Sequence, residues 1–326
     1  MKRVLILFGG KSSEHNISCI SASSIAKNID KEKYIFDLVG ISKENNWYLY
    51  NDDFVNLNEN WEESKEITKI ENIIEFLKNY DVVFPITHGT NGEDGKLQGF
   101  LDLFGIKYVG AKTLGSAVGM DKEFSKIIFE HLKISQVPYL VCYKNFKIKE
   151  IEKHFDYPLI VKPANGGSSI GINKVSNNKE LKTAINEALK YDKKVIIEKF
   201  IKAKEVEIAV LQDKDKLIIS NVGEIIPCNQ FYDYKAKYEQ KSETKIPANI
   251  NKKQIKVIKE IAKKIFYGMN ISSYARIDFF IENENIFINE INTIPGFTEI
   301  SMYPKLMEDS GIRYTNLITK LIENCF

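Results

Sequence analysis

The sequence predicts an α/β protein: an N-terminal parallel sheet covered by helices, followed by two units that grow richer in strand. Three observations carry this. Over the first third, short continuous apolar runs alternate with amphipathic segments, the pattern of parallel strands buried on both faces. In the last third, apolar and polar residues alternate with period two, as in half-buried strands. Several expected strands also run straight into Gly-rich loops, where α/β sheets place ligands. The 326 residues, 44% of them hydrophobic, suffice for two or three packed domains.

Residues 4–8 read as a first buried strand, stopped by Gly9 and Gly10. A helix follows over 13–28, with Ile17, Ile20, Ser24 and Ile25 on one side. Strands are expected at 34–41 and 82–88, and helices at 96–104 and 121–132. The middle unit carries strands near 137–143, 159–162 and 195–200. The last carries strands at 206–211, 216–220, 273–281 and 286–292, covered by helices over 252–267 and 312–324. The corresponding domains are 1–112, 113–196 and 197–326. Residues 228–246, crowded with Lys, Glu and Tyr and lacking any period, are either an exposed connector or a mobile lid.

Composition excludes several classes. A formal charge of +2 gives no field that would draw nucleic acid or an anionic membrane. Cys19, Cys142, Cys228 and Cys325 lie far apart, which argues against a zinc cluster or a disulfide framework and fits a reducing compartment. No eighteen apolar residues run together, and the 4–8 run is too short for a signal-peptide core. The expectation is a cytoplasmic protein with no membrane or nucleic-acid partner.

Four segments carry chemistry. In KPANGGSSIG, residues 162–171, a strand delivers Lys162 into a loop of small residues. Gly166, Gly167 and Gly171 let amides turn toward an anion, and Ser168 and Ser169 add hydroxyls. The loop is not a Walker motif; its readings are a phosphate cradle or a flexible turn. In ARIDFFIENENIFINEIN, residues 275–292, two strands flank a turn. Period two puts Arg276 and Asp278 on one face, and Glu290 and Asn292 on the matching face of the second strand. An oxygen-only set of this kind suits Mg²⁺ held together with phosphate oxygens; the alternative is a solvated face with cross-strand ion pairs. HGTNGEDG, residues 88–95, follows a strand. Its His-to-Glu spacing is not that of a helical zinc motif, and a capped turn into the next helix is the other reading. GGKSSEH, residues 9–15, also leaves a strand and opens a helix, but lacks the full dinucleotide fingerprint, so a nicotinamide dehydrogenase is weakly supported.

Together and in this order, these segments resemble the D-alanine–D-alanine ligases of the ATP-grasp superfamily. The resemblance runs from GGKSSEH at residue 9 to SMYPKLMEDSG at residue 301. It includes HGTNGEDGKLQG, MDK at 120–122, IVKPANGGSSIG, IEKFIKAKE at 197–205, FYDYKAKY at 231–238 and ARIDFF…INEINTIPGFTEISMYPKL. It implies an N-terminal α/β substrate domain followed by an ATP-grasp fold, two α+β subdomains clasping ATP. It further implies that Lys122, Lys162, Ser168 and Ser169 meet the phosphates. Glu198, Lys199, Phe200 and Ile201 would bracket the adenine, mostly through backbone. Glu205 would hold the ribose, and Phe231 and Lys237 would reach the nucleotide from the lid. Asp278, Glu290 and Asn292 would bind two Mg²⁺, with Mn²⁺ as the alternative ion. Glu14, in a set with Ser168 and Tyr238, would anchor the first D-alanine's ammonium, with His88 nearby. Ser301 and Met302 would receive the second substrate's carboxylate end. Arg276, one of only three arginines, and a backbone N–H near Gly296 would stabilise the oxyanion.

The implied activity joins two D-alanines through an acyl phosphate for peptidoglycan precursor synthesis, in a homodimer. Tyr238 favours an amine as the second nucleophile, D-alanine ahead of D-serine, with D-lactate behind both. The alternatives are another ATP-grasp carboxylate–amine ligase or a nucleotide-binding regulator without catalysis. The intact set of charged residues argues against the regulator.

Overall fold

A computed structural model describes residues 1–226 and 243–326. Most of the expected lid, including Cys228, Phe231, Lys237 and Tyr238, lies outside the described residues.

The first sheet has the order β4-β3-β2-β1-β5, from Lys2–Gly9 (β1), Tyr34–Ile41 (β2), Trp47–Tyr50 (β3), Ile67–Lys69 (β4) and Val82–Pro85 (β5). β1 lies parallel to both β2 and β5. β3 and β4 continue the sheet antiparallel, β4 at its edge; neither short strand was among those expected. The chain leaves β1 and takes up neighbours on both its sides, so a crevice opens at the carboxyl ends of β1 and β5. The loops holding Glu14 and His88 begin there.

Helix α1, His15–Asn28, covers this sheet. Its buried face is Ser18, Cys19, Ala22, Ile25 and Ala26, small residues that bring it close to the strands. Of the residues expected on one side of this helix, Ile17, Ile20 and Ser24 line an open cavity, while Ile25 is buried. α2 (Ile73–Leu77) and α3 (Lys96–Leu103) follow in the same domain.

The second sheet is antiparallel, order β6-β9-β7-β8, from Tyr139–Cys142 (β6), Leu159–Pro163 (β7), Asn173–Val175 (β8) and Val195–Lys199 (β9). Two helices, α6 (Ile148–Glu152) and α7 (Asn178–Ala188), pack on it; Leu181, Ile185 and Ala188 join Val161 and Ile197 in its core. The third sheet, order β12-β11-β10-β13-β14, is built from Lys204–Asp213 (β10), Lys216–Ile226 (β11), Glu243–Lys245 (β12), Tyr274–Glu282 (β13) and Asn285–Asn292 (β14). One face is covered by α8, Lys252–Gly268, whose N-terminus is closed by a capping box between Asn251 and Gln254. α4 (Thr113–Met120) and α5 (Lys122–His131) precede the second sheet in sequence, yet Phe129 and Ile134 pack in the third sheet's core.

The other face of the third sheet shares a core with the first sheet. Phe297, Tyr303 and Leu306, the last two from α9 (Met302–Asp309), and Leu317 and Leu321 of α10 (Tyr314–Glu323) pack with Val4, Ile6, Phe84 and Ile25. This shared core fixes the loop after β14 against the crevice of the first sheet.

Candidate active site

The predicted hairpin forms as expected. Arg276 pairs in register with Asn292, and Asp278 with Glu290, while Ile277, Phe279 and Ile281 turn into the core. β10 lies on the other side of β13 and places Glu207 opposite Asp278. Arg276 donates to both carboxylate oxygens of Asp278, at 2.8 and 2.7 Å, and lies 3.0 Å from Glu207. Burial opposes its charge, but Asp278 and Glu207 outweigh that and hold the guanidinium protonated far beyond any working pH. The Asn292 amide also donates to Asp278, at 3.0 Å.

Arg276 stands between two cavities. The larger, about 780 Å³, is lined by Glu14, Ile17, His88, Asn292, Gly296 and Ser301, among others. The smaller, about 200 Å³, lies between the second and third sheets and is lined by Lys162, Ser169, Glu198, Phe200, Ile201 and Glu205, with Lys199 also on its wall. A third space of about 50 Å³, with Lys122 and Ser168 on its wall, shares Glu290 with the smaller cavity and Glu14 and Asn292 with the larger. Every described residue of the predicted set lines one of these three spaces.

Glu14 sits at the junction. It accepts a hydrogen bond from Ser168 across 154 positions of sequence. Two glycines make room for it: a Cβ on Gly167 would stand 2.6 Å from Glu14 Oε2, and one on Gly89 2.9 Å from it. Ser168 and Ser169 both have positive φ, 51° and 58°. Two consecutive non-glycine residues in that region cost free energy, and such strain collects where a loop must present its groups to a ligand.

Beside the smaller cavity, Lys126, Glu198 and Lys162 form a buried triad. Lys126 Nζ lies 2.6 Å from Glu198 Oε1, and Lys162 Nζ 2.8 Å from Glu198 Oε2. Burial alone would raise the Glu198 carboxyl; the two ammonium groups instead hold it down at about 2. Desolvation lowers Lys126, since one shared carboxylate does not fully offset its burial and the repulsion of Lys162. The triad carries one surplus positive charge. Lys122 donates to the Gly166 carbonyl at 2.8 Å and lies 3.9 Å from Glu290, so it ties the glycine loop to the hairpin. Phe200 packs under Lys174, with the ammonium 3.7 Å from the ring centroid.

The larger cavity is organised by the turn after β14. His88 Nδ1 donates to the Ile294 carbonyl at 2.9 Å. The Glu93 carboxylate accepts from the N–H groups of Ile294 (2.9 Å) and Gly89 (2.8 Å). Burial and the nearby Glu14 push Glu93 up to about 8, against the pull of those two N–H groups. Ser301, at the start of α9, accepts from the Thr298 N–H at 3.0 Å, and its Oγ would lie 2.8 Å from a Cβ on Gly296. Met302 is buried at the cavity floor.

Sequence reasoning missed Glu93, Lys126 and Glu207. Glu207 was findable, since it alternates with buried Val206 and Ile208. Glu93 falls inside the HGTNGEDG segment but is set aside there with the metal reading. Lys126 gives no signal, because a lysine on an amphipathic helix reads as exposed. Among the described residues no three or more His, Cys, Asp or Glu gather as a metal cage, and no helix is long and apolar enough to cross a membrane.

Comparison with known proteins identifies the family. The family described as D-ala D-ala ligase N-terminus matches residues 3–111, and D-ala D-ala ligase C-terminus matches residues 128–323. The D-alanine–D-alanine ligase of Acetivibrio thermocellus is 46% identical, with 99% of this chain and 95% of that protein covered. That of Ruminiclostridium cellulolyticum is 44% identical, with 100% and 95% covered. Among solved structures, the VanG D-Ala:D-Ser ligase from Enterococcus faecalis superposes with a TM-score of 0.89 at 37% identity, covering 100% of this chain and 99% of that one. The D-alanine–D-alanine ligase from Coxiella burnetii gives 0.89 at 32% identity, with 99% and 93% covered. With two family matches spanning most of its length and full-length relatives above 40% identity, the chain belongs to the D-alanine–D-alanine ligase family.

Proposed function

We propose that this chain joins two molecules of D-alanine into D-alanyl-D-alanine at the expense of ATP, supplying a peptidoglycan precursor. The observation that carries this is the position of Arg276, which lines both the lysine-rich cavity and the cavity that begins at Glu14. A reaction that moves a phosphoryl group onto one amino acid and then replaces it with a second needs such a junction.

The nucleotide occupies the smaller cavity, with its base near Phe200 and Ile201, its ribose at Glu205 and its phosphates toward Lys122, Lys162, Ser168 and Ser169. Asp278, Glu290 and Asn292 offer two carboxylates and an amide oxygen. That donor set suits Mg²⁺ shared with phosphate oxygens, two ions with Mn²⁺ as the substitute. The ions supply charge neutralisation for the phosphoryl group when bound. Glu14 receives the first D-alanine's ammonium, and Ser168 fixes that carboxylate. The γ-phosphoryl group moves to the amino acid's carboxylate, giving ADP and an acyl phosphate. Positioning and charge, which the lysines and the glycine–serine loop provide, are what this step requires. The second D-alanine's amine, held by its carboxylate end near Ser301 and Met302, attacks the acyl carbon. Arg276 and an N–H near Gly296 meet the oxyanion, and phosphate departs.

A second reading is D-alanine–D-serine ligation, favoured by the close superposition on VanG. The curated relatives at 44–46% identity are D-alanine–D-alanine ligases, and this weighs toward D-alanine. The enzyme works in the cytoplasm as a homodimer in this proposal. Phosphate release from ATP and Mg²⁺ is measured with D-alanine, D-serine, D-lactate and L-alanine offered in turn. Release with D-alanine alone is expected. A larger response to D-serine paired with D-alanine establishes the second reading, and no dependence on any D-amino acid overturns both.

A further inference from the structure

The Gly9–Gly10 turn carries the chain from β1 into the Glu14 loop with φ of 84° and 94°. Its polar contacts are closely specified. The Gly9 N–H donates to Ser18 Oγ at 2.8 Å, and the Gly10 N–H to the Ile41 carbonyl at 2.7 Å. The Gly10 carbonyl lies 2.8 Å from His15 Nδ1, and the Trp61 indole N–H lies 2.9 Å from His15 Nε2. An indole N–H can only donate and a carbonyl can only accept. His15 Nε2 must therefore hold the lone pair, and Nδ1 must carry the proton and donate it to Gly10. Both side chains are buried, at 3% and 2% exposure, so water does not substitute for either partner.

Trp61 is itself held by a feature of the sheet. Its six-membered ring lies over Gly40 of β2, where a Cβ would stand 2.5 Å from the ring. The absence of a side chain at Gly40 thus seats Trp61, Trp61 selects the imidazole tautomer, and the tautomer ties down the turn four residues before Glu14.

We propose that His15 is a positioning residue for the first amino acid, holding the Gly9–Gly10 turn so that the Glu14 carboxylate meets Ser168, and that Trp61 locks its tautomer. This rests on the reading of Glu14 as the ammonium anchor. Asparagine can place an amide N–H where Nδ1 stands. Glutamine reaches the Nε2 position but not Nδ1. The two variants therefore separate the Gly10 contact from the Trp61 contact.

The test has two arms. In the wild-type protein, ¹⁵N spectra of the imidazoles at neutral pH are recorded; the four histidines are few enough for His15 to be assigned by its loss in His15→Asn. A protonated Nδ1 and unprotonated Nε2 are expected, with the signature altered in Trp61→Phe. In the kinetic arm, His15→Asn keeps the first-site KM for D-alanine within about threefold. His15→Gln raises it about tenfold or more, with kcat and the KM for ATP within about twofold, as the loss of one buried hydrogen bond at a binding loop requires. A spectrum with the proton on Nε2, or a wild-type KM in His15→Gln, overturns the positioning role. A parallel Glu14→Gln variant with unchanged first-site KM overturns the substrate reading beneath it, whatever the tautomer.

Discussion

Glu198→Gln tests how the phosphate-side lysines are held. The substitution keeps the shape of the side chain and removes the negative charge that Lys126 and Lys162 share. Two routes to its magnitude agree. Removing one partner from a buried ion pair costs about 3–5 kcal/mol, because the charge left behind has neither water nor partner. Independently, the fold holds the Glu198 carboxyl at about 2 against an ordinary 4.5. That is about 2.5 pH units at about 1.4 kcal/mol each, or about 3–4 kcal/mol. The sign follows from the depressed value. The stabilisation is fully present above about pH 4.5 and is lost as pH falls toward about 2, at about 1.4 kcal/mol per unit. Urea unfolding of wild type and variant between pH 3.5 and 7 measures it. The expected gap is about 3–4 kcal/mol at pH 7, narrowing by about 1 kcal/mol from pH 4.5 to 3.5. A gap below about 1 kcal/mol at pH 7, or one that does not narrow in acid, would refute the reasoning, since either means that Glu198 is not the charge that keeps both lysines buried.

The remaining expectations concern the junction between the cavities. Arg276→Ala should lower kcat by roughly 10²–10³, the range for losing one oxyanion donor, and Arg276→Lys should recover little of it because the fork to Asp278 is gone; near-wild-type turnover in steady-state assays would take Arg276 out of the mechanism. Asp278→Ala should abolish Mg²⁺-dependent ADP formation, read by a coupled assay, and undiminished ADP release would remove Asp278 from the metal set. Gly167→Ala puts a methyl group 2.6 Å from Glu14 Oε2 and should raise the first-site KM for D-alanine by about tenfold while leaving ATP binding by calorimetry intact. The raised carboxyl of Glu93 means that the fold takes up a proton there, so wild-type stability should fall as pH rises from about 4.5 through about 8. Glu93→Gln should lack that slope in pH-dependent unfolding, and an identical slope would show that another group is responsible.

What was legible in the sequence follows the range over which each signal acts. The β13–β14 hairpin could be read because period two and one tight turn fix which side chains share a face, and Arg276, Asp278, Glu290 and Asn292 meet accordingly. The edge strand β4 could not, because three half-exposed residues lack a continuous apolar run, and β3, though its four residues are apolar and aromatic, is too short for a period to show. Periodicity groups Ile17, Ile20, Ser24 and Ile25 on one side of α1, but it does not say which side packs: burial against the sheet favours the small residues Cys19, Ala22 and Ala26, and Ile17 and Ile20 line the cavity. Residues whose role depends on a tertiary partner were the hardest. Lys126 becomes recognisable only when β9 brings Glu198 to it, and His15 only when a tryptophan 46 positions away supplies the donor that fixes its proton. Lys126 lies four residues past the MDK motif, and His15 is the last residue of GGKSSEH, where the sequence drew attention to its neighbour Glu14. A local motif thus locates the reacting groups, while the residues that hold those groups in place are chosen by packing, and a sequence read one segment at a time cannot see them.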